Sequence, residues 1–180
     1  MAKTMANPGA AAPVPARPAK PFNSYLLNKC IIGYGVINGI INAVIFYLIH
    51  MGDPAARFGE ADIFHDFALT GVLLGILLFV IVVPLTRMDL RKGVFSGPQV
   101  ANLGGAASLV PSSYAPALLV TTVVATVVLM GTGAFAATLL PLPLSMTGMM
   151  LLKGVVCAVG GGVAGYFTIC YVVRSGKTGA

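Results

Sequence analysis

Charge is what this chain has least of. Asp, Glu, Lys and Arg together make up 9% of its 180 residues, while 57% are hydrophobic. A soluble domain carries about a quarter charged residues, so this composition excludes a surface that faces water throughout. Acids are the scarcest. There are five, and four of them (Asp53, Glu60, Asp62, Asp66) fall in one short stretch. Catalytic and cofactor signatures are missing as well. The sequence has no Ser/His/Asp or Cys/His set, no Gly-rich phosphate loop and no His pair of the haem-binding kind within an apolar run. It therefore reads as a non-enzyme that needs no cofactor. Cys30, Cys157 and Cys170 lie in or at the ends of apolar runs without C-x-x-C spacing. They read as small buried hydrophobes, not as disulfide or metal ligands. His50, Asp53, Glu60, Asp62, His65 and Asp66 could be taken for a divalent-metal site, but their spacing is not diagnostic. Solvated loop acids are the simpler reading, so no metal is expected.

What the chain does have is four long apolar segments, Cys30–Ile49, Phe67–Leu85, Ala117–Leu140 and Met149–Val173. An apolar bilayer core of ~30 Å takes roughly 20 residues of helix to cross, and each segment is about that long. They are too uniformly apolar for alternating barrel strands. The expected fold is all-α, an integral membrane four-helix bundle over residues 26–175 whose first partner is the lipid bilayer. The loops are sorted by sign. The acidic stretch, with Arg57 as its counterweight, joins the first two segments. Arg87, Arg91 and Lys92, against Asp89, follow the second; Lys3, Arg17, Lys20 and Lys29 precede the first; and Arg174 and Lys177 follow the fourth. Positive residues stay on the cytoplasmic side, so both termini and the middle loop are expected there. Helices one and two then form one antiparallel hairpin, and helices three and four, joined by a short turn at Pro141–Gly148, form another. The net charge of +6 does not point to nucleic acid, because the basic residues are scattered at segment ends without aromatic interleaving.

Residues 1–25 form a Pro- and Ala-rich tail, expected to be disordered or held by a partner. The tail lacks the apolar core of a secretion signal, and Ala2 excludes N-myristoylation, so the first helix is expected to act as an uncleaved insertion signal. Residues 176–180 form a second, short tail. The connection from Gly93 to Pro116 reads either as a plain cytoplasmic loop or as a segment at the interface or packed under the bundle. The runs Lys29-x-Ile31-Ile32 and Lys153-x-Val155-Val156 look alike, but apolar runs match by chance and no duplication is read from them.

In lipid, helices associate through close backbone approach and interhelical hydrogen bonds, so small and polar residues mark the packed faces. Helix one aligns Gly35, Asn38, Gly39 and Asn42. Helix two offers Gly71 and Gly75, helix three Thr122, Ala125 and Thr126. Helix four aligns Gly154, Cys157, Ala158, Gly161, Gly162 and Gly165. Asn38 and Asn42 are the most polar groups at mid-membrane. They are expected to bond to Thr122 or Thr126 as interhelical glue, the alternative being a polar lining for a solute path. Lys153 is the one charge well inside an apolar run. Counting back from Val173 places it near the outer boundary, at the level of Asp66, so a Lys153–Asp66 ion pair is expected there. A gating or substrate role for Lys153 is the alternative.

The stretches Val36-Ile-Asn38-Gly-Ile-Ile-Asn42, Asp66 ahead of Pro84-Leu-Thr-Arg87, Arg91-Lys-Gly93 and Leu152-Lys153-Gly-Val-Val-Cys157 resemble a family of small bacterial four-helix membrane proteins, loosely described as permease-like. The resemblance covers most of the chain without the tail and middle loop. It implies a multi-pass bundle in the bacterial inner membrane, with Asn42, Asp66 and Lys153 at its marked positions, and it supplies no substrate. The expected role is non-enzymatic: helix packing as a homo-oligomer, or as an accessory subunit among other membrane subunits. The alternative is a small-solute permease or channel working as a homo-oligomer, with the binding residues drawn from Asn38, Asn42, Asp66 and Lys153.

Overall fold

A computed structural model of the chain describes residues 20–95 and 105–176. The tail up to residue 19, part of the middle segment and residues 177–180 lie outside the described residues, and with them the expectations for Lys3, Arg17 and Lys177. The fold is all-α, with four helices long and apolar enough to cross a membrane: α1 (Phe22–His50), α2 (Glu60–Arg91), α3 (Tyr114–Leu139) and α4 (Met146–Ser175). Helices α1, α2 and α4 run on past both ends of their apolar segments, and α3 covers its own except for the last residue, Leu140. Hydropathy stops at the first charge, whereas backbone hydrogen bonding continues through the polar turns. Thus α2 starts at Glu60 and continues past Pro84 to Arg91, although Pro84 has no N–H to give to the Val80 carbonyl.

The helix ends follow from local chemistry. Asp62 Oδ2 accepts a bond of 2.9 Å from the Gly59 N–H, and Glu60 and Asp62 place negative charge on the first turn of α2, where the helix dipole favours it. Ser145 Oγ caps α4 by accepting from the Gly148 N–H at 3.2 Å, which satisfies one orphan donor. The residue before a proline is pushed out of the helical region, and α3 stops at Leu139, just ahead of Pro141. Within α1, Lys29–Val36 is wound as a π-helix between two α-helical stretches.

Helix α4 is the hub. Two-thirds of its most apolar window (67%) is buried, against 22–33% for the other three. The closest pairs are α1 on α4 and α2 on α3, with α4 also against α2 and α3. The pairing by chain order is therefore refined: α3 and α4 do pack as a hairpin, but α1 leans on α4 and reaches α2 mainly through long side chains such as Tyr25 and Lys29. Two strands that periodicity did not suggest, β1 (Arg57–Phe58) and β2 (Leu144–Ser145), pair antiparallel with Arg57 opposite Ser145. They tie the two loops together at the acidic end.

At the basic end the Lys20 N–H donates to the Val94 carbonyl at 3.0 Å, and buried Phe95 stacks on Tyr25 with ring centroids 4.1 Å apart. A short 3₁₀ helix, Gly105–Leu109, follows. Ala107 and Val110 are buried against Phe79, Phe167 and Tyr171. Arg174 Nη1 donates to the carbonyls of Ala107 (3.0 Å) and Ser108 (2.9 Å). The described part of the middle segment is thus packed under the bundle and is not a free loop.

Candidate functional site

The small residues of α1 and α4 meet face to face. A Cβ added at Gly39 would lie 2.5 Å from the Gly154 carbonyl oxygen and 2.9 Å from Ala158 Cβ; one at Gly35 would lie 3.1 Å from the Ala158 carbonyl oxygen. Towards the basic end, Gly161 faces the Tyr34 carbonyl, Gly162 the Cys30 carbonyl and Gly165 the Tyr34 ring. The π-helical stretch therefore presses its backbone carbonyls onto the glycine face of α4. On the other side of the bundle, Gly71 and Gly75 abut Thr126 Cα and Thr122 Cα, each at 2.6 Å from the added Cβ. Gly154 is looser, its nearest neighbour being Ala43 Cβ at 3.3 Å. Gly133 on Phe67 and Gly160 on Leu129 belong to the same packing, although neither stands in one of the small-residue rows visible in the sequence.

The asparagines bond differently from expectation. Asn38 Nδ2 donates to the Cys157 carbonyl on α4 at 3.1 Å, and Asn42 Nδ2 donates to Asn38 O (2.9 Å) and Oδ1 (3.2 Å). Neither reaches Thr122 or Thr126. The reason is topological: α1 lies on α4, so its polar stripe meets α4, while α3 packs against α2. Thr126 Oγ1 bonds back to the Thr122 carbonyl at 2.9 Å within its own helix.

Lys153 and Asp66 do meet. Lys153 Nζ lies 2.6 Å from Asp66 Oδ1, with side chains 10% and 26% exposed. Two things hold the ammonium: this carboxylate and the face of Phe46, whose ring centroid lies 5.4 Å away. One contact network thereby joins α4, α2 and α1. His50 stacks on Phe46 at 4.2 Å, and Phe58 of β1 packs on both at 5.2 Å, roofing the pair with aromatic surface. A second ion pair closes the opposite end. Asp89 accepts from Tyr25 Oη at 2.8 Å and lies 3.0 Å from Lys29 Nζ. In the sequence Asp89 stands only as a minority charge in a basic run. Its isolation there was the available signal, since a lone acid among cations readily finds one across a helix pair.

The vertical spacing of these groups is regular. Lys29 and His50 on α1, Asp66 and Arg87 on α2, and Lys153 and Arg174 on α4 are each 21 residues apart. That is about 32 Å of helix, close to the ~30 Å hydrocarbon thickness of a bilayer. The two ion pairs therefore sit one at each boundary of an apolar slab, and Asn38 and Asn42 lie within it. Among the described residues, no three His, Cys, Asp or Glu side chains come together as a metal site. Cys30, Cys157 and Cys170 are free and buried.

Fold and site together define a multi-pass four-helix membrane protein with an ionic link at each end. No family model, curated protein or solved structure matches the chain.

Proposed function

We propose that this is a non-enzymatic membrane protein of the bacterial cytoplasmic membrane, working by helix packing as an oligomer or as an accessory subunit of a membrane complex. Its basic end, with both termini, faces the cytoplasm. One observation carries the reading: the polar side chains a solute path would need are already engaged, Asn38 and Lys153 in links to other helices and Asn42 within α1. Asn38 is bonded to the α4 backbone, Asn42 to Asn38, and Lys153 to Asp66. The two grooves beside them, between α1 and α4, are lined by apolar and small residues such as Val36, Ile40, Leu151 and Val159. Such surfaces suit lipid or another helix better than a hydrated solute.

Purification in a gentle detergent followed by native mass spectrometry tests this. A stable homo-oligomer or a defined complex with other membrane subunits is the expected result. A homo-oligomer that moves a small solute across proteoliposomes would overturn it in favour of a permease, as would a monomer that forms no assembly.

A further inference from the structure

Arg87 and Arg91 are exposed on the last turns of α2, and neither has a hydrogen-bond or ion-pair partner among the described residues. No carboxylate side chain of this chain is left for them. Of the five acids, Asp53, Glu60, Asp62 and Asp66 lie at the far end. Asp89, two residues from each arginine, points to the other side of the helix, where Lys29 and Tyr25 engage it.

The two guanidiniums also terminate an exposed stripe. Leu73, Leu77, Val80, Pro84, Arg87 and Arg91 follow one another at spacings of four, three, four, three and four residues, and all six are exposed. At about 100° per residue they stay within an arc of about 80°. The apolar part, Leu73 to Pro84, rises about 16 Å, the hydrocarbon depth of one leaflet. Apolar for one leaflet and then doubly cationic, the stripe has the layout of a phospholipid with a negative headgroup. Guanidinium is the side chain best suited to a phosphate diester, because it can give two parallel N–H bonds at once.

We propose that this stripe of α2 binds an anionic phospholipid, its acyl chain along Leu73–Pro84 and its phosphate between Arg87 and Arg91.

The test uses the full chain, delipidated in a neutral detergent and titrated with phosphatidylglycerol or phosphatidylcholine, with bound lipid counted by native mass spectrometry and stability read by thermal unfolding. Wild type should hold phosphatidylglycerol at least ~10-fold more tightly than phosphatidylcholine. Each basic side chain near an anionic surface is worth about 5-fold in affinity, so R87Q/R91Q should weaken phosphatidylglycerol roughly 30-fold and phosphatidylcholine, whose phosphate is offset by its own ammonium, by no more than about 3-fold. R57Q, at the opposite end, should change neither. If the double variant does not fold, R91Q alone must still lose about 5-fold. Equal binding of the two lipids, an unaffected R87Q/R91Q or R91Q variant, or an equal loss in R57Q would overturn the proposal. So would inorganic phosphate displacing the lipid at comparable concentration, since that would make the site one for a free anion.

Discussion

Lys153 shows how a single residue can be placed by depth arithmetic and still owe its energetics to its neighbours. With 10% of its side chain exposed, its ammonium is compensated by Asp66 and Phe46. Replacing it with Met orphans the Asp66 carboxylate. Removing one member of a buried pair costs about 3 kcal/mol or more, and the 26% exposure of Asp66 keeps the expectation at the lower end of that range. K153M should therefore unfold more readily in mixed micelles by about 3 kcal/mol. K153M/D66L, with both charges gone, should recover most of the loss. If K153M is as stable as wild type, the pair contributes nothing. The Asp89 link is wetter, since the Lys29 side chain is 36% exposed. Lys29→Gln should cost only about 0.5–1 kcal/mol in the same assay.

At the scale of elements, helix spacing is set where backbone meets backbone. The Gly39 position leaves no room for a methyl group, because the nearest atom is a carbonyl oxygen of α4 that cannot move without its helix. Gly39→Ala should destabilise the bundle by about 1–3 kcal/mol. Gly131 on α3 has open space around it, so Gly131→Ala should be neutral or stabilise by up to about 1 kcal/mol through helix propensity. Equal effects of the two substitutions in equilibrium unfolding would rule out close packing as the cause. Arg174 makes a different kind of link, pinning a 3₁₀ turn to the end of α4 through two carbonyls. Arg174→Gln should expose Ala107–Val110 to faster amide exchange while the spans stay protected. Unchanged exchange in that turn would mean that apolar burial alone holds it. The small-residue rows of all four helices were legible in sequence because period 3.6 is visible without coordinates. Which rows meet is not legible there, and the sequence therefore suggests Thr122 and Thr126 on α3 as partners for Asn38 and Asn42, which in the fold face α4.

The whole molecule is two ionic layers separated by about one hydrocarbon thickness, with α4 at the centre. Four spans return the chain to the side on which it began, so Gly52 and Ser112 must lie on opposite faces. The three native cysteines are buried, which gives a low background for labelling. A cysteine introduced at Gly52 should react with a membrane-impermeant maleimide in intact cells, and one at Ser112 only after lysis. The reverse pattern would invert the proposed orientation, and labelling of both in intact cells would break the four-span topology. Composition and hydropathy by themselves determined the class, the number of spans and the level of the Lys153–Asp66 pair. Those depend on transfer of groups from water to hydrocarbon, a property each residue carries wherever it packs. Only the tertiary structure decided that α1 lies on α4, that β1 and β2 stitch the acidic end, that Asp89 clamps Tyr25 and Lys29, and that Arg87 and Arg91 are left without a carboxylate. Those are matters of which surfaces meet, and in a chain this apolar many pairings satisfy hydropathy equally. Backbone-to-backbone contact at the glycines selects among them.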